Sequence, residues 1–132
     1  MSRAFLDTSA AYALLVASDA NHEPAAAAFE RLRASGAALV TTSYVLIETY
    51  ALLGRRVGGK AVRAFRDDLG PLLDVTWVDE GLHDRGLDLV LDRGDAGLSL
   101  VDAVSFLAMR DEGIDEAFTF DRHFEEEGFA LP

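Results

Sequence analysis

The chain has 132 residues, half of them hydrophobic and three of them proline, so its length and composition exclude disorder and predict one folded domain over residues 1–132. It contains no cysteine, which excludes disulfide bonds and thiolate metal sites. No apolar run approaches the roughly 18 residues of a membrane span, so we expect a cytoplasmic protein. The net charge of −11 argues against binding nucleic acid over most of the surface, because phosphates would be repelled.

Along the chain, short apolar strands alternate with helices. Strands are predicted at residues 3–7, 38–42, 74–78 and 116–120, with a short fifth strand at 129–131. Helices are predicted at residues 9–17, 22–35, 43–56, 60–69, 81–92 and 99–112, and Ser43 and Ser99 are expected to cap the third and the sixth. Trp77, within the third strand, is expected to lie in the core. Strands separated by helices predict an α/β fold with a mainly parallel sheet covered on both faces.

Four acidic residues stand out because their neighbours in the sequence are apolar. Asp7 and Asp121 end predicted strands, whereas Glu48 and Asp102 lie on predicted helices, on faces shared with hydrophobic side chains. Both helical acids are therefore expected to point towards the sheet. An unpaired buried carboxylate costs several kcal/mol, and none of the four segments contains a lysine or a histidine. A divalent cation would compensate all four charges together.

Each acid also has a purely structural interpretation. Asp7 could cap the following helix, and Asp121 could cap a short segment around residue 124. Asp102 completes a capping-box spacing with Ser99, and Glu48 could simply be exposed to solvent. These interpretations compete one residue at a time. Two strand ends and two inward helix faces together are what a site at one edge of a parallel sheet requires.

Such a cluster suits phosphodiester hydrolysis assisted by Mg²⁺ or Mn²⁺, which take oxygen ligands. Asp7, Asp102 and Asp121 are the candidate metal ligands, direct or through water. Glu48 is a candidate ligand or water-orienting base, so all four acids are candidate catalytic residues. Ser9 and Thr119 are hydroxyls beside the acids that could hold a carboxylate or a water molecule, although a plain structural role suits them equally well.

The four acidic segments together resemble the PIN domain. The resemblance is carried by Phe-Leu-Asp-Thr-Ser at residues 5–9, Glu48 in a central helix, Leu-Val-Asp-Ala at residues 100–103, and Thr-Phe-Asp at residues 119–121. In order and spacing these segments resemble bacterial VapC-type toxins over essentially the whole chain. Each motif is weak by itself, and the ordered set of four in a short chain is specific.

The resemblance implies a fold, an activity and partners. The fold is a three-layer α/β/α sandwich with a parallel central sheet. The activity is Mg²⁺- or Mn²⁺-dependent cleavage of RNA, as the toxin of a toxin–antitoxin pair. The expected partners are the RNA substrate, a second copy of the chain in a homodimer, and an antitoxin protein that covers the site.

Three other functions compete with this one. A response-regulator receiver domain would need paired acids after the first strand and a lysine after the last, but Asp7 is followed by Thr8 and the single lysine is Lys60. A haloacid-dehalogenase-type phosphatase needs a second aspartate where Ser9 stands. A catalytically inactive PIN-like binding module is the stronger alternative, although four costly carboxylates argue against it.

A basic segment interrupts the acidic chain. No acid occurs between residues 49 and 66, and this stretch is either a solvated helix face or an RNA contact through Arg55, Arg56, Lys60, Arg63 and Arg66.

The three histidines are scattered and are expected to be polar surface residues: His22, His83 and His123. The apolar residues 12–17 and the alanine-rich residues 24–29 are expected to leave a shallow groove for a partner helix.

Overall fold

The structure is a computed structural model that describes residues 2–132. Its strands are β1 (Arg3–Leu6), β2 (Ala38–Thr42), β3 (Leu73–Thr76) and β4 (Glu116–Phe118). Its helices are α1 (Thr8–Leu15), α2 (His22–Ala34), α3 (Ser43–Arg56), α4 (Gly59–Ala64), α5 (Glu80–Arg93), α6 (Leu100–Glu112) and α7 (Arg122–Glu126). A π-helical turn (Phe65–Leu69) and a 3₁₀ turn (Gly70–Leu72) link α4 to β3.

Within the described residues the four strands form one parallel sheet in the order β3-β2-β1-β4. β1 is therefore flanked on both sides, with Phe5 opposite Val40 of β2 and Leu6 opposite Phe118 of β4. Every connection crosses from one end of the sheet to the other through helices. As a result the carboxyl ends of all four strands lie at one edge.

Two hydrophobic layers cover the sheet, because successive side chains of a strand point to opposite faces. Leu6 belongs to the layer made with α1–α4, where Leu53 and Phe65 are also buried. Phe5 belongs to the opposite layer, where the rings of Phe106 and Phe124 pack edge to face with centroids 4.9 Å apart. The predicted α/β/α sandwich is confirmed.

Several local predictions need correction. Thr42 rather than Ser43 caps α3, since its side chain accepts a hydrogen bond from the Val45 amide at 3.2 Å. Trp77 is 74% exposed because it follows the end of β3, the edge strand, so its assignment to the core was wrong. The predicted fifth strand is reduced to one parallel bridge between Ala130 and Glu116. None of the helices in residues 2–132 is both long and apolar enough to span a membrane.

Close packing of α5 on α6 depends on Gly86. A methyl group at this position would lie 2.6 Å from Val104 Cγ2, so Gly86→Ala should lower the free energy of unfolding by about 1–3 kcal/mol. Gly54→Ala is the control, because its added carbon would meet Val62 Cγ2 at an ordinary 3.8 Å. That variant should be stabilised by about 0.5–1 kcal/mol through helix propensity. Urea denaturation tests both, and equal effects on the two variants would contradict this description of the α5–α6 contact.

Candidate active site

The predicted acidic residues converge at the carboxyl edge of the sheet. Asp7 follows β1 directly, and Asp121 lies three residues after the end of the neighbouring β4. Asp102 lies in the first turn of α6, which Ser99 caps by accepting a hydrogen bond from the Asp102 amide at 3.0 Å. Glu48 lies on α3, whose N-terminus follows β2. Each acid is thus placed by a different element.

Asp7 is the most deeply placed carboxylate, with 3% of its surface exposed. Ser9 Oγ and Thr119 Oγ1 both donate hydrogen bonds to its Oδ2, at 3.0 and 2.9 Å. Asp7 occupies the N-cap position of α1, but its side chain makes no capping hydrogen bond. Burial raises its pKa, although the two hydroxyls oppose that effect. Capping therefore does not explain why a carboxylate stands here.

Ser9 and Thr119 also organise the backbone that carries Asp121. The amide of Phe120 donates to Ser9 Oγ, and the amide of Asp121 donates to Thr119 Oγ1, both at 2.9 Å. The two hydroxyl oxygens lie 3.1 Å apart. Each hydroxyl thus joins the Asp7 carboxylate to the chain leaving β4. In the structure both hydroxyls therefore hold a carboxylate, which is one of the roles that the sequence suggested for Ser9 and Thr119.

Asp102 is an acid whose pKa is strongly raised. It is 9% exposed, and its pKa is raised to about 7, first by burial and then by the charges of Asp7, Asp121 and Glu48. His123 acts in the opposite direction. Three other carboxylates therefore lie close enough to Asp102 to disfavour its charged form.

Glu48 does not point towards the sheet as the sequence suggested. The buried side of α3 is formed by Val45, Thr49 and Leu53, and Glu48 is exposed beside them. Its charge nevertheless raises the pKa of both Asp7 and Asp102, so it belongs to the cluster from the solvent side. The predicted face was wrong because Leu46 and Tyr50 pack against the core beside the buried residues of α3, so the buried face turns away from Glu48.

His123 was missed by the sequence interpretation, which placed it on the polar surface. Its Nδ1 lies 2.7 Å from Asp121 Oδ1, which also accepts a hydrogen bond from the His123 amide at 2.9 Å. Ligand atoms of Asp102, Asp121 and His123 lie within 4.8 Å of one another. The hydrogen bond to Asp121 raises the pKa of His123. The only signal in the sequence was the spacing of two residues from Asp121 at the start of α7.

Asp121 does cap α7 through this amide contact, so its structural interpretation and its place in the cluster both hold. The other two histidines serve packing. His22 Nδ1 is hydrogen-bonded to the Ala13 carbonyl at 2.8 Å, and His83 Nδ1 to the Tyr44 hydroxyl. Both are half-buried, which corrects their assignment as plain surface residues.

The basic residues singled out in the sequence lie apart from the cluster, on α3, α4 and the π turn, and all five are exposed. Arg66 is paired with Asp67 at 2.7 Å, and Arg56 lies over the Tyr12 ring. Arg55 lies two turns after Glu48 on the same helix. The structure therefore brings the four acids together and leaves the basic segment as a neighbouring surface.

The donor set fits a divalent metal ion. Across residues 2–132, none of the four carboxylates forms an ion pair with a lysine or an arginine, and the basic side chain that contacts them is the imidazole of His123. Carboxylate oxygens are the ligands that Mg²⁺ and Mn²⁺ prefer, and an imidazole nitrogen suits transition metals. A divalent ion at this edge would offset the mutual repulsion of the acids.

With this fold and this cluster established, the chain belongs to the PIN domain family, whose model matches residues 4–129. Its relatives include the 23S rRNA-specific endonuclease VapC20 of Mycobacterium tuberculosis, which is 39% identical over 127 residues, covering 95% of this chain and 94% of the relative.

Solved structures of similar proteins share the fold of this chain. The crystal structure of Mycobacterium tuberculosis VapC20, described as a Sarcin-Ricin loop cleaving toxin, superposes with a TM-score of 0.84 at 36% identity, covering 98% of this chain and 97% of the other. VapBC2 from Rickettsia felis, bound to a promoter DNA fragment, has a TM-score of 0.72 at 14% identity and the same coverage. PAE2754 from Pyrobaculum aerophilum has a TM-score of 0.62 at 21% identity, covering 98% and 89%. The last two show a shared fold.

The raised pKa of Asp102 predicts a pH dependence for the metal-free protein. Between the ordinary value of 3.8 and the folded value of about 7, the unfolded chain releases this proton first. The free energy of unfolding should therefore fall as pH rises through this window, by at most about 1.4 kcal/mol per pH unit from this group. Asp102→Asn should show a shallower fall and be the more stable protein at pH 7.

Urea denaturation in EDTA from pH 4 to pH 7.5 measures this difference. Asp88→Asn, an exposed position on α5, is the control and should follow the wild type. If the free energy of unfolding of Asp102→Asn falls with pH as steeply as that of the wild type, burial and the neighbouring acids do not raise the pKa of Asp102, and this description is wrong.

Proposed function

We propose that this chain is a divalent-metal-dependent endoribonuclease and the toxin of a toxin–antitoxin pair. The observation that carries the proposal is the environment of Asp102, where three further carboxylates meet without a lysine or arginine partner. PIN nucleases generally depend on divalent metals, and the sequence relationship to an rRNA endonuclease extends over nearly the full length of both chains. An inactive binding module would have no need to keep Asp7 and Asp102 buried at such a cost.

In this proposal Asp7, Asp102 and Asp121 are the residues that would hold Mg²⁺ or Mn²⁺, with His123 as an added nitrogen ligand. When bound, such an ion activates a water molecule and stabilises negative charge on the phosphate. Ser9 and Thr119 fix one oxygen of Asp7, which leaves its other oxygen for a ligand role.

The chain's own proton acceptor in the proposal is Glu48. It is exposed at the open side of the cluster, where an attacking water molecule can reach it. Its carboxylate would orient that water for in-line attack and take its proton, as a general base must do within hydrogen-bonding reach. The contact between His123 Nδ1 and Asp121 Oδ1, at 2.7 Å, holds the imidazole beside the acids.

The basic segment is proposed to contact the RNA backbone. Arg55 continues the helix face that carries Glu48, so a strand of RNA at the carboxylates can pass along α3 towards α4. Arg66 contributes least, because Asp67 already occupies its guanidinium. Non-specific phosphate contacts of this kind add affinity without reading sequence. Because the proposed substrate is cellular RNA, the proposed location is the cytoplasm.

Two further surfaces suit the proposed protein partners. A groove of about 310 Å³ lies between α1, α2 and the turns before β3 and is lined by Leu14, Leu15, Phe29, Asp68, Leu69 and Leu72. It supports docking of an apolar antitoxin helix, in part where the sequence suggested it. Elsewhere Ile47 and Leu91 are 66% and 75% exposed, and with Trp77 they are candidate residues for the proposed homodimer contact.

Removing single charges tests the proposed chemistry. Asp7→Asn, Asp121→Asn and Glu48→Gln keep the side-chain shape, so each should lower metal-dependent RNA cleavage by at least about 100-fold while the circular dichroism spectrum stays unchanged. The assay follows cleavage of ribosomal RNA fragments with Mg²⁺ or Mn²⁺, and EDTA should abolish it. Asp88→Asn, a control carboxylate outside the cluster, should retain full activity. A fully active Asp7→Asn would refute the proposed site, and a fully active Glu48→Gln would refute the role given to Glu48.

A further inference from the structure

A second feature of the carboxyl edge is a pocket of about 270 Å³ between α2, the end of β4, α7 and the last residues of the chain. Thr119 and Asp121 line both this pocket and the acidic cluster. A group seated in the pocket would therefore be contiguous with a phosphate held at the carboxylates. None of the functions described above uses this space.

The pocket has an apolar interior. Among its lining residues, Phe118 is buried, Phe120 is half-buried, and Leu131 is 41% exposed. Apolar and aromatic surface of this kind binds flat aromatic rings, because every nucleobase presents a π face to stack on. The volume admits one base.

The rim of the pocket is charged. Arg31 and Arg122 are exposed there, and neither forms an ion pair with a carboxylate in the part of the chain that the structure describes. Guanidinium groups contact phosphate oxygens through two parallel hydrogen bonds. Glu125 supplies a carboxylate at the same rim, in addition to Asp121, which the pocket shares with the acidic cluster. An aromatic ring with a hydrogen-bonding edge and flanking negative charge matches all three features.

We propose that this pocket is the subsite for the nucleobase adjacent to the scissile phosphate. This inference rests on the proposed function and deepens it. Phe120 contacts the base, Arg31 and Arg122 contact the flanking phosphates, and Glu125 accepts a hydrogen bond from the base edge. Adenine, cytosine and guanine each carry an exocyclic amino group that can donate to a carboxylate. Uracil offers only its N3–H, which stands between two carbonyl oxygens that repel a carboxylate. The subsite therefore disfavours uracil.

Charge favours RNA over a protein segment as the occupant. An antitoxin region that neutralises the acidic cluster must itself be basic, and two unpaired arginines at the rim would repel it. The separate groove lined by Leu14, Leu15 and Phe29 has no arginine in its lining. The two surfaces thus divide between two partners, with RNA at the pocket and the antitoxin helix at the groove.

The test sequences the ends produced from a single-stranded RNA library by the metal-loaded enzyme and measures kcat and KM on short oligonucleotides. At one position flanking the cut, the wild type should disfavour uracil. Glu125→Gln should raise relative cleavage at uracil about tenfold, because an amide can donate to its carbonyl oxygens. Phe120→Leu, which keeps apolar volume, should raise KM about tenfold and leave kcat nearly unchanged.

Arg31→Ala should raise KM as well, and Arg33→Ala is its matched control. Arg33 lies on the same helix and contacts the ring of Phe29, outside the pocket, so its removal should change neither KM nor base preference. Melting temperatures confirm that each variant is folded. If the wild type cleaves RNA and both Glu125→Gln and Phe120→Leu keep its base preference and its KM, the subsite is refuted and the proposed function stands.

A binding measurement without metal tests the subsite independently of the proposed nuclease activity. A short RNA with 2-aminopurine beside the position of the cut should lose fluorescence on binding the wild type without metal, and this loss should be smaller with Phe120→Leu. If this difference is seen and no RNA is cleaved with Mg²⁺ or Mn²⁺, the subsite holds and the proposed nuclease function fails. Equal fluorescence changes in the two proteins would overturn the subsite.

Discussion

Mutual repulsion among four carboxylates at one edge of a parallel sheet is the constraint on which the rest of the site depends. The fold creates it, because β1 and β4 are neighbours whose carboxyl ends lead to Asp7 and Asp121 at the same edge, while α6 and α3 carry Asp102 and Glu48 to that edge. Burial strengthens it, since Asp102 holds a pKa of about 7 in these surroundings. The described side chains offset this repulsion only in part: two hydroxyls donate hydrogen bonds to Asp7, and one imidazole contacts Asp121. A bound divalent cation would complete the compensation and turn an unfavourable cluster into a catalytic one.

The hydroxyl pair explains how such a site stays ordered before a cation binds. Ser9 and Thr119 each satisfy an Asp7 oxygen and a backbone amide of the segment after β4, so moving Asp7 would also disturb Asp121. Beneath them, Thr49 Oγ1 lies 3.1 Å from Thr8 Oγ1 and ties α3 to α1. These short polar links fix the elements that carry the acids. A pre-arranged set of ligands loses little conformational freedom on binding an ion.

Much of this arrangement could be predicted from the sequence, and the failures have physical causes. The alternation of strands and helices predicted the parallel sandwich, and apolar neighbours identified all four acids. Glu48 was assigned to the wrong side because α3 packs on the core through residues 45, 49 and 53, with 46 and 50 beside them, and Glu48 lies outside this face. His123 was overlooked because its role depends on the tight turn at Asp121, which local patterns do not reveal. Trp77 was placed in the core because the sequence does not show which strand lies at the edge of the sheet.

Some of the surfaces around the cluster carry the positive charge that the cluster itself lacks. Arginines on α3 and α4 and at the rim of the pocket beside Asp121 supply positive charge to a chain whose net charge is −11. The most direct test of the central claim is anomalous diffraction from crystals soaked in Mn²⁺. A peak about 2.1 Å from carboxylate oxygens of Asp102 and Asp121, lost in Asp102→Asn, is the expected result. Absence of a peak at the four acids under saturating Mn²⁺, or a peak that persists unchanged in Asp102→Asn, would contradict it.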